Sequence, residues 1–114
     1  NSGHVLNVIS TSGNFDTSSG DNRLWQTYGA SKWALSGFTR AFKDSLDGTN
    51  IKVTGFYPGG FESNLYENAD MPDPHNQPWM MKTDDVADAL IFCLTRPADM
   101  TVEKLIVTKH QATN

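Results

Sequence analysis

The pattern of this chain predicts an α/β fold on a doubly wound, parallel sheet. Three observations carry that prediction. Apolar strand-like runs alternate with helical stretches in the order strand, helix, strand, helix, strand. The stretches between the strands are long enough for right-handed crossovers, which parallel strands require. Hydrophobic residues make up 38% of 114 residues, enough for one modest core and so for one domain, 1–114.

The first strand is His4-Val5-Leu6-Asn7-Val8-Ile9, short, largely buried and ending at Ser10. The composition then turns to Ser, Thr, Gly, Asn and Asp, whose side chains bond their own backbone in loops. Helical periodicity begins near Thr27. Leu35, Phe38, Phe42 and Leu46 form a bulky face, and Ala30, Ala34, Gly37 and Ala41 form a stripe that permits close approach. This helix is expected to stop near Asp47-Gly48, where glycine supplies a left-handed terminus. Ile51-Lys52-Val53-Thr54-Gly55-Phe56 reads as the second strand, closed by Tyr57-Pro58-Gly59-Gly60.

Residues 61–82 form a long, proline-bearing segment with a short helical turn expected near Ser63 to Glu67. Thr83-Asp84-Asp85 opens the second long helix, a hydroxyl cap followed by acids at the positive end of the dipole. Val86, Ala89, Leu90 and Cys93 continue the helical spacing, and Pro97 bars extension. Leu105-Ile106-Val107-Thr108 is the third strand.

Charge and cysteine content narrow the function classes. Nine Lys+Arg against thirteen Asp+Glu give a net charge of −4, without the basic footprint of a nucleic-acid binder. No apolar run approaches the roughly 20 residues that span a bilayer, and no signal peptide opens the chain. The single cysteine, Cys93, excludes an intrachain disulfide and any cysteine-rich metal site. The expectation is a soluble, cytoplasmic protein whose partners are neither nucleic acid nor membrane.

In open α/β sheets, sites lie at the carboxyl ends of the strands. The Ser10 loop and the Pro58-Gly59-Gly60 loop both leave such ends, so they are expected on one rim. Tyr28 and Lys32 begin the long helix four residues apart, on one face. A phenol titrates near 10, but a neighbouring ammonium and the positive helix end both favour the phenolate. The pair can then act as a general acid/base toward an alcohol or carbonyl oxygen. Ser10 could donate a hydrogen bond to the same oxygen. Tyr-x-x-x-Lys alone occurs on many solvated helix faces. The joint pattern is specific: a strand ending in Ser10-Thr11-Ser12-Gly13, then Tyr28-Gly29-Ala30-Ser31-Lys32, then a strand and Pro58-Gly59.

With these motifs, the chain resembles the C-terminal half of the short-chain dehydrogenases/reductases, a Rossmann-like family. The resemblance runs from Asn7-Val8-Ile9-Ser10 to the last strand. It implies an NAD(P)-dependent oxidoreductase that moves hydride between nicotinamide and a carbonyl or alcohol. Tyr28 would be the proton donor or acceptor. Lys32 would lower the Tyr28 pKa and bond the nicotinamide ribose. Ser10 would orient the substrate oxygen. Pro58, Gly59, Gly60 and Phe61 would hold the nicotinamide, with Ser63 where the family usually has threonine. Residues 61–82 would be the substrate loop covering the site as a lid, with an apolar wall from Tyr66, Met71, Trp79, Met80 and Met81; ordinary packing of these side chains under the loop is the alternative.

Two features depart from the family. The 18 residues from Ser10 to Tyr28 exceed the usual interval, which implies an insertion in residues 14–24 and leaves Ser12 as a second candidate serine. The x-x-Gly after Ser10 favours Ser10. No Gly-rich dinucleotide loop is present, so the half that grips most of the cofactor is expected to be absent and the choice of NAD or NADP unreadable. An alternative follows: a truncated, non-catalytic half-domain that only associates with other chains. Homo-oligomers are expected from an unpaired first strand and from the small-residue stripe, similar to the family's helix-bundle contacts.

Other residues read as structural. Trp33 and Phe38 are expected to pack, and Cys93 to be a buried hydrophobe. His4, His75 and His110 have no metal-ligand spacing, so no metal is expected.

Overall fold

The computed structural model describes residues 2–13, 26–68, 70 and 77–110. Its elements are β1 (Gly3–Val8), α1 (Gln26–Ser45), β2 (Ile51–Pro58), α2 (Leu65–Asn68), α3 (Thr83–Leu94) and β3 (Lys104–Val107), with a 3-10 turn at Thr11–Gly13. The sheet order among the described residues is β1-β2-β3 and both pairings are parallel. This open, parallel α/β arrangement is the predicted fold class. The insertion expected in residues 14–24, together with Met71, His75 and the Tyr66 side chain, lies outside the described residues.

The two long helices take opposite faces of the sheet. Successive side chains on a strand alternate. Phe56 packs on one face against Val86 and Cys93 of α3, with Leu6, Leu105 and Val107 around them. Phe56 is fully buried and Cys93 is 1% exposed, so Cys93 is the buried hydrophobe expected. The other face meets α1 through Asn7 and Tyr57. The Asn7 amide donates to the Thr39 hydroxyl at 2.8 Å, and Thr39 donates onward to the Leu35 carbonyl at 2.7 Å. Helix α1 ends where expected, and Gly48 has φ of +79°. At the start of β2, the Lys52 ammonium donates to the Pro97 and Met100 carbonyls, fastening the turn after α3 to the sheet.

Several expectations need correction. Trp33 and Phe38 do not fill the core: they are 46% and 56% exposed. Phe38 instead stacks on Phe42, with ring centroids 5.5 Å apart. Helix α1 faces the sheet partly through the short polar side chains of Ser36 and Thr39, while Leu35, Phe42 and Leu46 of the bulky stripe are half-buried and Phe38 is exposed. Strand β1 is half-buried rather than largely buried. Thr83 is not the cap of α3. Lys82 occupies that position without a side-chain bond, and the Thr83 hydroxyl donates to the Glu62 carbonyl, tying α3 to the segment after β2.

Strand β2 also runs through Tyr57 and Pro58, which the sequence pattern assigned to the turn. The Gly55 N–H donates to Glu103 at 2.9 Å and the Gly59 N–H to Val107 at 2.7 Å, so these odd positions address β3. Pro58 therefore faces β1, just beyond the last ladder bond there, Ile9 N–H to the Phe56 carbonyl at 2.7 Å. Its missing N–H disrupts nothing at that point.

His4 reports on the α3 face. The Thr54 hydroxyl has one proton and donates it to the Val102 carbonyl at 2.7 Å. The 2.7 Å contact with His4 Nε2 must then be donated by the imidazole. Burial, and secondarily the Lys52 charge, lower the His4 pKa from its ordinary 6.5. A depressed folded pKa gives stability that is present above the unfolded value and lost as pH falls through the folded one. Thermal stability should therefore fall on acidification below about 6.5. His4→Gln, which keeps a donor for Thr54, should flatten that dependence. An equal slope in both proteins would contradict it.

Among the described residues, no helix is long and apolar enough to cross a membrane.

Candidate active site

The sheet register brings the strand-end residues to one rim. Val8 pairs with Phe56, and the ladder extends past β1 through the Ile9 N–H. Two residues further along each strand, Ser10 stands level with Pro58. The chain after Ser10 coils into the Thr11–Gly13 turn, closed by the Gly13 N–H on the Ser10 carbonyl at 2.9 Å. The Ser12 N–H donates to Ser10 Oγ at 3.1 Å. This bond uses a lone pair of the Ser10 hydroxyl and leaves its proton available for donation elsewhere. Ser12, the second candidate serine, contacts Ser10 through its backbone.

Helix α1 docks its first turns on this coil. Gly13 is buried, and a Cβ there would stand 2.7 Å from the Lys32 carbonyl oxygen and 2.7 Å from Ile9 Cγ2. Only a residue without a side chain lets the helix backbone approach this closely. Tyr28 and Lys32 are both partly exposed. The Lys32 ammonium is 5.5 Å from the centre of the Tyr28 ring and 3.5 Å from the Val8 carbonyl, two residues before Ser10. The Ser31 hydroxyl donates to the Tyr28 carbonyl at 2.7 Å. The expected trio, Ser10, Tyr28 and Lys32, is thus carried by two elements in direct contact.

The turn after β2 is paired with Met81, one of the residues expected to form an apolar wall. Met81 bridges Phe61 in parallel: the Met81 N–H donates to the Gly60 carbonyl at 2.9 Å, and the Glu62 N–H donates to the Met81 carbonyl at 3.2 Å. In such a bridge, the central residue's own N–H and carbonyl point the other way. Phe61 therefore presents a backbone donor and acceptor away from Met81, a pair suited to a carboxamide. Trp79 lies so close to Gly60 that a Cβ there would run into the indole. Gly60→Ala should displace the indole and change tryptophan emission, and the change should vanish in a Trp79→Phe background. Emission indifferent to Gly60→Ala would sink this contact. Ser63 is drawn into a different task. It is exposed, and its Oγ accepts the Leu65 N–H at 3.3 Å, at the start of α2.

Among the described residues, no group of three or more His, Cys, Asp or Glu could hold a metal ion.

Comparison with known proteins gives one result at three levels. The family model described as short chain dehydrogenase matches residues 1–73. An uncharacterized oxidoreductase of Staphylococcus epidermidis is 28% identical over 106 residues, covering 93% of this chain and 42% of that protein. The chain thus spans less than half the length of this curated relative. Among solved structures, serine dehydrogenase in a closed form with NADP+ aligns with a TM-score of 0.72, at 22% identity, over 97% of this chain and 47% of that one. An alcohol dehydrogenase from the archaeon Thermococcus sibiricus, complexed with 5-hydroxy-NADP, aligns with a TM-score of 0.72, at 20% identity, over 97% and 44%. At such identities the structural likeness speaks to the fold, which is Rossmann-like.

Proposed function

Because this chain belongs to the short chain dehydrogenase family, we propose that it carries the proton-transfer part of an oxidoreductase acting on a carbonyl or alcohol with NAD or NADP. One observation supports this most: Ser10, the Tyr28–Lys32 helix start and the 58–60 turn meet on one rim. When bound, the nicotinamide would supply or accept the hydride.

The chain's own residues would do the rest. The Tyr28 hydroxyl gives its proton to the substrate oxygen during reduction and takes one back during oxidation. The Lys32 ammonium, on the same helix face, reaches ribose hydroxyls. The Ser10 hydroxyl, anchored by the Ser12 N–H, donates to the substrate oxygen and holds it at Tyr28. The Phe61 N–H and carbonyl grip the carboxamide, with Pro58 and Gly59 shaping the approach. Ser63 would add a hydroxyl contact if α2 releases it.

The test is NADH or NADPH oxidation by the complete gene product with a panel of aldehydes and ketones. Turnover with one coenzyme and one carbonyl class supports the reading. Saturable dinucleotide binding without any turnover would overturn it. Absence of binding would favour the alternative, a half-domain that only associates.

Association with a second copy belongs to the same proposal. Ala30, Ala34, Gly37 and Ala41 are exposed on α1 beside Trp33 and Phe38. Small residues there allow two helices to approach closely. Sedimentation at tens of micromolar should give a dimer or larger species; a stable monomer would remove this part.

A further inference from the structure

We propose that Tyr57 and Ser36 are positioning residues: their paired hydroxyls tie the helix face bearing Tyr28 and Lys32 to the strand that runs into the 58–60 turn. The proposal rests on the site reading given above.

Tyr28, Lys32 and Ser36 follow one another at intervals of four, so they form one stripe along α1. The last of them meets the sheet. Ser36 Oγ and Tyr57 Oη are 2.6 Å apart. Tyr57 is 5% exposed and immediately precedes Pro58. Left without a partner at that depth, its hydroxyl would carry a full desolvation penalty.

The ring has little freedom to move. It folds back over Gly55, where a Cβ would stand 3.0 Å from Tyr57 Cε2. The Lys104 ammonium sits 4.8 Å from its centre. The phenol is therefore held at a fixed height above the strand, and the helix is held by the phenol.

A second tie runs from β1, through Asn7 to Thr39 at 2.8 Å. Each of the two strands that deliver site residues is thus tied to α1 by a side-chain hydrogen bond. Apolar contacts tolerate sliding, whereas hydrogen bonds weaken steeply with distance and angle. The Tyr57–Ser36 bond is the one that sets helix against turn, because only Tyr57 adjoins Pro58.

The experiment compares Tyr57→Phe, Ser36→Ala, the double variant and Ser36→Thr in the complete gene product. It reads kcat, coenzyme KM, the pH profile of kcat/KM, melting temperature and dinucleotide binding by fluorescence. Either single variant should lower kcat by roughly tenfold and shift the pH profile of kcat/KM, as misplacement of reacting groups does. The double variant should be no worse than the singles, since one bond is lost in all three. Ser36→Thr, which restores a hydroxyl, should recover most of the loss seen with Ser36→Ala. Variants that melt lower yet keep the wild-type kcat and pH profile would overturn the proposal, because a merely structural bond predicts that result. Losses that multiply in the double variant would overturn it as well. If the unaltered protein binds neither dinucleotide, the site reading itself fails and takes this proposal with it. Normal binding by the unaltered protein keeps the two failures apart.

Discussion

Exchanging Tyr28 for phenylalanine in the complete gene product should lower kcat by roughly 10²- to 10⁴-fold, the usual contribution of a positioned acid/base. The loss should appear with little change in dinucleotide binding. The ring stays, and with it the face presented to the Lys32 ammonium 5.5 Å from its centre. The helix start stays too, because the Ser31 hydroxyl bonds the Tyr28 carbonyl rather than its side chain. What leaves is one hydroxyl and its proton. Single-turnover assays should place the defect in the chemical step. Turnover close to that of the unaltered protein would remove Tyr28 from the mechanism and, with it, the main reason for reading this rim as a catalytic site.

Gly13→Ala should be the most damaging change that touches no reacting atom. The added methyl would meet the Lys32 carbonyl oxygen at 2.7 Å and its carbon at 3.0 Å, besides Ile9 Cγ2 at 2.7 Å. Ile9 is 2% exposed and cannot swing away. The Lys32 atoms are helix backbone, so relief requires moving α1 or the Thr11–Gly13 turn. Overpacking of this kind typically costs about 1–3 kcal/mol. Part of that strain should be relieved by a shift of α1 that carries Tyr28 and Lys32 away from Ser10. Thermal unfolding and kcat should both fall, with kcat reduced even where the variant is fully folded. A variant that melts and turns over like its parent would show that this close approach is dispensable.

These two positions also mark how far the sequence can be read. Tyr28 and Lys32 were legible because the chemistry needs particular residue types at a helical spacing. Gly13 was legible only as part of the Ser10-x-x-Gly pattern. Its physical reason, the helix backbone resting on it, involves residues nineteen positions apart and appears only in three dimensions. Elements set by local periodicity, such as α1 and α3, emerged with nearly their expected bounds. Features set by tertiary contact did not. Thr83 has the composition of a cap, but its hydroxyl was captured by Glu62. Trp33 and Phe38 follow a helical stripe, yet Thr39 and Ser36 face the sheet in their place. Tyr57-Pro58 looked like a turn because no local signal shows which neighbour a missing N–H would have addressed. The contact of Trp79 with Gly60 crosses a segment whose sequence has no period at all.

The central strand β2 therefore joins two unlike layers. Its α3 side holds the cluster of Phe56, Val86 and Cys93. On the other face, α1 is fastened by oriented bonds from Tyr57 and from Asn7 of the neighbouring β1. Apolar attraction fades as water is cooled, while a directional bond does not depend on that source. Cooling therefore weakens the cluster of Phe56, Val86 and Cys93, while the Asn7–Thr39 and Tyr57–Ser36 bonds keep α1 in register with the strands that lead to the rim.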